Sequence, residues 1–240
     1  TNFITAVSNR RTNHTLSKDV TIPQETITKT IEDVIREVPS AFNMQSGKAV
    51  IAFGETHDAI WKITMDTLRK IVPPANFATT EAKINSFAAA YGTVLYFDDT
   101  TIVDNMASQF PLYAKNFPIW AQQANGMMQF AVWTALTDLG LGVNLQHYNP
   151  LIDDEVKKLT GVPKEWQLIA QMPFGHPTEP PKPIVKVPIE ERVKVFGKKK
   201  ALSHEDSAFL SFKFVVFSLQ QMVKNLNPCF YKLQTPCYKL

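Results

Sequence analysis

Gly140-Leu-Gly-Val-Asn-Leu-Gln-His-Tyr-Asn149 is the stretch on which the fold turns, read together with Asn9-Arg-Arg-Thr12 near the start of the chain. Two glycines let backbone approach a flat ligand closely, amide side chains can read its hydrogen-bonding edges, and paired arginines can hold a phosphate. Either piece alone is weak. Gly-Leu-Gly ends many helices, and two arginines after a short apolar run also suit a helix C-terminus, where positive charge is favoured. The isolated Gly-Leu-Gly also lacks the third glycine and the strand-turn-helix setting of a dinucleotide fingerprint.

Outward from these pieces, apolar spacing predicts a first helix over Phe3 to Ser8. Thr21-Ile-Pro-Gln24 has capping-box spacing with an early proline, and Ile27, Ile31, Val34, Ile35 and Val38 share one face of a second helix that Pro39 stops. Ala49-Val-Ile-Ala-Phe53, ended by Gly54, predicts a buried strand, with Thr56 capping a helix to about Ile71. Gly92-Thr-Val-Leu-Tyr-Phe97 is β-branched and aromatic and predicts a second, central strand. Helices follow, the last from about Ile119 to Leu139. It is apolar around most of its circumference, through Trp120, Met127, Met128, Phe130, Val132, Trp133 and Leu136, which requires burial on nearly all sides. Asp153 to Leu159 predicts a short exposed helix closed by Gly161, and Trp166 to Phe174 another strand. Gly175-His-Pro-Thr-Glu-Pro-Pro-Lys-Pro183 predicts an extended surface crossing, because its prolines lack amide donors. Strands separated by helices give an α+β layered fold; spacing alone leaves the strand order open.

The chain of 240 residues, 45% apolar, has material for one sizeable core. Residues 198–240 hold seven lysines against Glu205 and Asp206, so the formal charge of +3 belongs to that tail and the body is slightly acidic. A body without a concentrated Lys/Arg face excludes nucleic acid as an expected partner. Cys229 and Cys237 are the only cysteines, which fits a reducing compartment and neither a zinc cluster nor a disulfide scaffold. No basic segment followed by an apolar core opens the chain, so no secretory signal is expected, and the most apolar run, Phe209 to Val223, is too polar to span a bilayer. The expected location is the cytoplasm, with the nucleus as a second compartment.

Three more stretches complete a pattern: Pro39-Ser-Ala-Phe-Asn-Met-Gln45, Ala90-Tyr-Gly-Thr-Val-Leu-Tyr-Phe97 and Gln123-Ala-Asn-Gly-Met-Met-Gln-Phe-Ala-Val-Trp-Thr-Ala135. With all five in this order, the chain resembles the nitroreductase family of FMN-dependent oxidoreductases, and within it the fungal branch linked to fatty-acid regulation. The resemblance runs from about Phe3 to about Gly197. It implies a central sheet wrapped by helices in an intertwined homodimer, with flavin sites at the subunit interface. Residues 1–197 are therefore the expected FMN-binding domain, and 198–240 a tail outside the resemblance.

The resemblance also assigns roles. Arg10, Arg11 and Thr12 match the family's Arg-Arg-Ser phosphate motif, and guanidinium forks suit phosphate. His14 stands where many relatives carry a Lys or Arg on the flavin pyrimidine edge; a neutral imidazole keeps one hydrogen bond there but supports the anionic reduced flavin less than a permanent cation does. Asn43 matches the Asn of a Pro-Ser-Ser-x-Asn pattern that reaches the flavin from the other subunit, with Ser40 and Gln45 beside it and Ala41 in place of the second Ser. Gly142, Leu145, Gln146 and His147 fall where relatives place backbone and small side chains against the flavin ring. Lys186, with Lys182 as competitor, aligns with a basic residue that completes the phosphate site.

The implied activity is NADH- or NADPH-driven reduction of a small aromatic acceptor, a nitroaromatic or a quinone, by ping-pong hydride transfer through FMN, with no metal. No side chain is a catalytic nucleophile or base in such an enzyme, because the cofactor carries the hydride while the protein supplies position and electrostatics. The alternative is a flavin-binding regulator in lipid or oxidative-stress signalling, whose role does not depend on turnover.

Overall fold

The computed structural model describes residues 2–197. Its sheet contains β1 (Leu16–Ser17), β2 (Gly47–Phe53), β3 (Gly92–Asp99), β4 (Gly142–Val143) and β5 (Trp166–Pro177), in the order β1-β5-β3-β2 with β4 also on β5. Every pairing is antiparallel. With helices packed on this sheet the fold is α+β, as expected.

β3 is the central strand, and Gly92 to Asp98 are all buried. Its first residue shows why the sheet closes tightly there: a Cβ on Gly92 would stand 2.6 Å from Phe174 Cζ and 2.9 Å from the Ala52 carbonyl oxygen. β2 differs from the expected buried strand. It lies at the edge of the sheet, and only Ala52 is buried, because one side of its ladder pairs with β3 and the other has no partner among the described residues. The predicted crossing at Gly175–Pro183 also begins later than expected. β5 continues through Pro177, because Gly175 pairs with Gly142 while His176 and Pro177 pair with Ser17 and Leu16. Gly175 makes this junction possible, since a Cβ there would meet the Ser17 carbonyl at 2.6 Å.

Of the helices, α1 (Phe3–Asn9) is capped by Asn2, whose side chain accepts from the Thr5 amide at 2.9 Å. α2 (Gln24–Glu37) buries Ile27 and Ile31 but begins after Pro23 without a side-chain cap, so the capping-box spacing is not used. α3 (Gly54–Ile71) likewise starts at Gly54 rather than at Thr56, because Gly54 takes φ +52° and lets the chain turn directly out of β2. α4 (Phe77–Ala88) and α5 (Thr100–Gln109) precede the long α6 (Phe117–Asp138), and α7 (Asp153–Thr160) ends on Gly161 in the left-handed region.

α6 buries Met128, Val132 and Leu136 against the sheet and α2, and Ala121 against Val103 of α5. Ile119, Met127 and Phe130 stay 54%, 45% and 41% exposed, so within one chain its burial is one-sided, not all-round as its composition predicts. Beneath α3 and α4 lies a closed polar network. Trp61 Nε1 donates to Thr93 Oγ1 at 3.0 Å, Thr93 Oγ1 lies 2.8 Å from His57 Nδ1, and His57 Nε2 lies 3.1 Å from the Ala88 carbonyl. A second unit begins at Val185 and, among the described residues, contains α8 (Ile189–Arg192). The predicted tail, 198–240, lies outside the described residues. No described helix is long and apolar enough to cross a membrane.

Candidate functional site

The link from α1 to β1 carries the paired arginines. Arg10 leaves the helix in an extended conformation with its amide still bonded to the Ala6 carbonyl, and Thr12 then bridges to Val143 in parallel. Asn13 fixes the link. Its amide donates to the Val143 carbonyl at 2.9 Å, its side-chain oxygen accepts from the Thr15 amide at 3.0 Å, and its side-chain nitrogen donates to the Glu179 carbonyl at 2.8 Å. Residues 10–15 and the segment Glu179 to Lys182 with Ile184 thereby enclose a cleft of about 320 Å³. Asn13 was missed in the sequence; its only signal there is a short amide between the arginines and His14.

Four of the predicted residues, Arg10, Arg11, Thr12 and His14, line this cleft together with Lys182. The Arg10 guanidinium lies 4.6 Å over the Trp133 ring, and Arg11 donates to the Lys182 carbonyl. Burial, then Lys83, then Lys182 lower the pKa of His14 below its ordinary 6.5, which favours the neutral imidazole. Lys186 belongs to the second unit.

Ser40, Asn43 and Gln45 come together in a different cleft of about 340 Å³, with Arg36, Gly47, Lys48, Ala124 and Met128. The turn that presents them is strained: Phe42, Asn43 and Gln45 have φ of +54°, +52° and +50°, a region that costs a non-glycine residue about 1–2 kcal/mol. Two devices hold it. Ser40 Oγ accepts from the Gln45 amide at 3.0 Å, and the Phe42 ring stacks on Trp120 at 5.9 Å and packs on Phe110 at 4.9 Å. The two clefts share no lining residue within one chain.

The decisive stretch at 140–149 supplies no lining residue of the first cleft and supports its floor through Asn13, which bonds to Val143 and Asn144. Gly140 turns the chain at φ +88°. Gly142 is buried in β4, where a Cβ would meet Leu16 Cδ2 at 2.6 Å and Pro177 Cβ at 3.0 Å, so its missing side chain is used by strand packing. Asn144 donates to the Asn13 carbonyl at 2.9 Å and Gln146 to Asn144 Oδ1 at 2.9 Å, which makes a buried ladder of amides leading to Asn13. Leu145 packs partly buried against the core, and His147 is exposed.

The protein is thus α+β, with a basic cleft at one end of its antiparallel sheet and a second, polar cleft on a strained turn. The nitroreductase family profile matches residues 7–176, and the chain belongs to the nitroreductase family. It is accordingly an oxidoreductase. Nitroreductase FRM2 of Saccharomyces cerevisiae is 35% identical over 187 residues, 75% of this chain and 90% of that protein. Among solved structures, nitroreductase CinD from Lactococcus lactis in complex with chloramphenicol is 40% identical with a TM-score of 0.75, covering 82% of this chain and all of CinD. A second structure of CinD, in complex with 4-nitrophenol, matches equally well.

Proposed function

We propose that the protein is an FMN-dependent NAD(P)H oxidoreductase that reduces nitroaromatic, and also quinone, acceptors, and that it works as a homodimer. The observation that carries this reading is the cleft in which Arg10, Arg11, Thr12 and Lys182 converge. Two guanidinium forks, a hydroxyl and an ammonium are the donor set that a phosphate monoester requires, and no carboxylate except Glu179 lines the cleft with them. Arg11, Arg10, Thr12 and Lys182 would hold the phosphate of FMN, while His14, Gln146 and, from a second copy, Ser40, Asn43 and Gln45 would meet its ring. Bound there, FMN would supply hydride chemistry between NADH or NADPH and the acceptor, and these residues would orient its ring and exclude water. CinD has been crystallised with 4-nitrophenol, a ligand of the acceptor class proposed here.

The absorbance spectrum of the purified protein tests the cofactor, and NADH-driven loss of 4-nitrophenol tests the activity. A yellow protein that sustains turnover is expected. A colourless protein would sink the flavin assignment, and bound FMN that neither nicotinamide nucleotide reduces would favour the regulatory alternative.

A further inference from the structure

A further cavity, of about 450 Å³, opens beside the first cleft. The two share Arg11, Asn13, Glu179 and the Pro180-Pro181 wall, so a ligand held by Arg11 in the cleft has room to continue into the cavity. The rest of the cavity lining includes polar Asn9 and Thr137 and apolar Leu141 and Pro177.

Thr137 carries an unused hydroxyl. Thr64, Thr134 and Thr160, also in helices, each turn theirs onto the carbonyl four residues back, at 2.9, 2.8 and 2.8 Å. The Thr137 hydroxyl is buried and has no hydrogen-bond partner among the described residues, a state that costs a polar group free energy. Its residue lines the cavity, and a turn about χ1 carries a threonine hydroxyl from one staggered position to the next.

The charges around the cavity select what it can take. Asn9 ends α1 and Thr137 lies in the last turn of α6, so two helix C-termini, with their partial negative charge, supply its lining together with the carboxylate of Glu179. Beyond Arg11, a free anion is poorly matched there. A sugar is well matched, because its hydroxyls can donate to Glu179 and accept from Thr137 and Asn9, while a flat base can lie on the prolines and Leu141.

Resting on the flavin reading above, we propose that this cavity is a nucleoside subsite through which the protein takes FAD as well as FMN. Arg11, common to both spaces, would hold phosphate in either cofactor, and Thr137, Asn9 and Glu179 would meet only the adenosine ribose of FAD.

Calorimetric titration of the flavin-free protein with FMN and with FAD tests this in the parent, Thr137→Val and Thr137→Ser. Thermal melts should agree among the three, since the Thr137 hydroxyl bonds to nothing in the fold. The parent is expected to bind FAD comparably to FMN. Thr137→Val should weaken FAD by about fivefold to tenfold, the worth of one neutral hydrogen bond, and leave FMN unchanged. Thr137→Ser, which keeps the hydroxyl, should match the parent. AMP should not bind the FMN-loaded parent, because the FMN phosphate already engages Arg11; uptake of AMP beside FMN would assign the cavity to a free nucleotide and overturn the FAD assignment. A parent that takes FMN but rejects FAD, or a Thr137→Val protein that keeps parental FAD affinity or loses both flavins alike, would overturn it too. A parent that binds neither flavin would instead remove the flavin reading itself, and the subsite with it.

Discussion

Arg11 donates to the Lys182 carbonyl and lines the cleft, so it joins the two segments that enclose the site. Replacing it with alanine removes a charge-assisted phosphate contact, worth on the order of 1.5–3 kcal/mol, or roughly a tenfold to hundredfold loss of FMN affinity. The fold should survive, since Arg11 is only partly buried; FMN titration and thermal melts of Arg11→Ala would separate the two effects, and an unchanged affinity would refute the phosphate assignment. His57 is a residue of the opposite kind. It is fully buried, and burial chiefly lowers its pKa from 6.5, opposed by the Ala88 carbonyl and by Asp58. Because the folded pKa is the lower one, the stability gained by keeping the ring neutral is complete above about pH 6.5 and is lost as pH falls below it, by up to about 1.4 kcal/mol per pH unit. Denaturant melts from pH 7 to pH 5 should show this slope in the parent and a flatter one in His57→Gln, which also starts less stable; parallel slopes would exclude His57 as the source.

At the level of elements, much of the fold was legible where one property dominates. β3 announces itself because its β-branched and aromatic run, Gly92 to Asp98, is buried, and α7 because Gly161 must take a left-handed conformation. Starts of helices were less legible. Thr21 and Thr56 have the right chemistry for caps, but Pro23 and Gly54 already set the backbone, and no side-chain cap forms. The two-residue strands β1 and β4 are too short to leave a periodic signal, yet they turn Gly175–Pro177 from a surface crossing into sheet. The site divided the same way: the Arg10–His14 segment was readable as one group, whereas Asn13 owes its role to contacts with Val143 and Glu179 far along the chain. Gly175 tests the junction directly. Gly175→Ala must displace the Ser17 carbonyl or the Tyr91 amide, backbone atoms that yield poorly, and is expected to destabilise by about 1–3 kcal/mol in urea melts. A neutral substitution would mean that β1 is free to shift.

For the whole molecule, the exposed Ile119, Met127 and Phe130 of α6 and the separation of the two clefts within one chain both support the proposed homodimer. Sedimentation at low micromolar concentration should give a dimer, and Phe130→Glu should yield monomers that have also lost FMN. Monomers that keep the cofactor would show that one chain suffices. We also propose that the FMN-binding domain ends at Gly197, so a chain truncated there should retain flavin and NAD(P)H-driven reduction; loss of either would move that boundary. The uneven support of β5 carries a last consequence. Leu168 to Phe174 run beside the eight-residue β3, while Gly175 to Pro177 are held by two-residue strands. Amide protons near that junction should therefore exchange with deuterium well before those of the central ladder, and the floor of the cleft can breathe while the core stays shut. Such breathing would let a tightly held ligand enter and leave a site built on an otherwise rigid sheet.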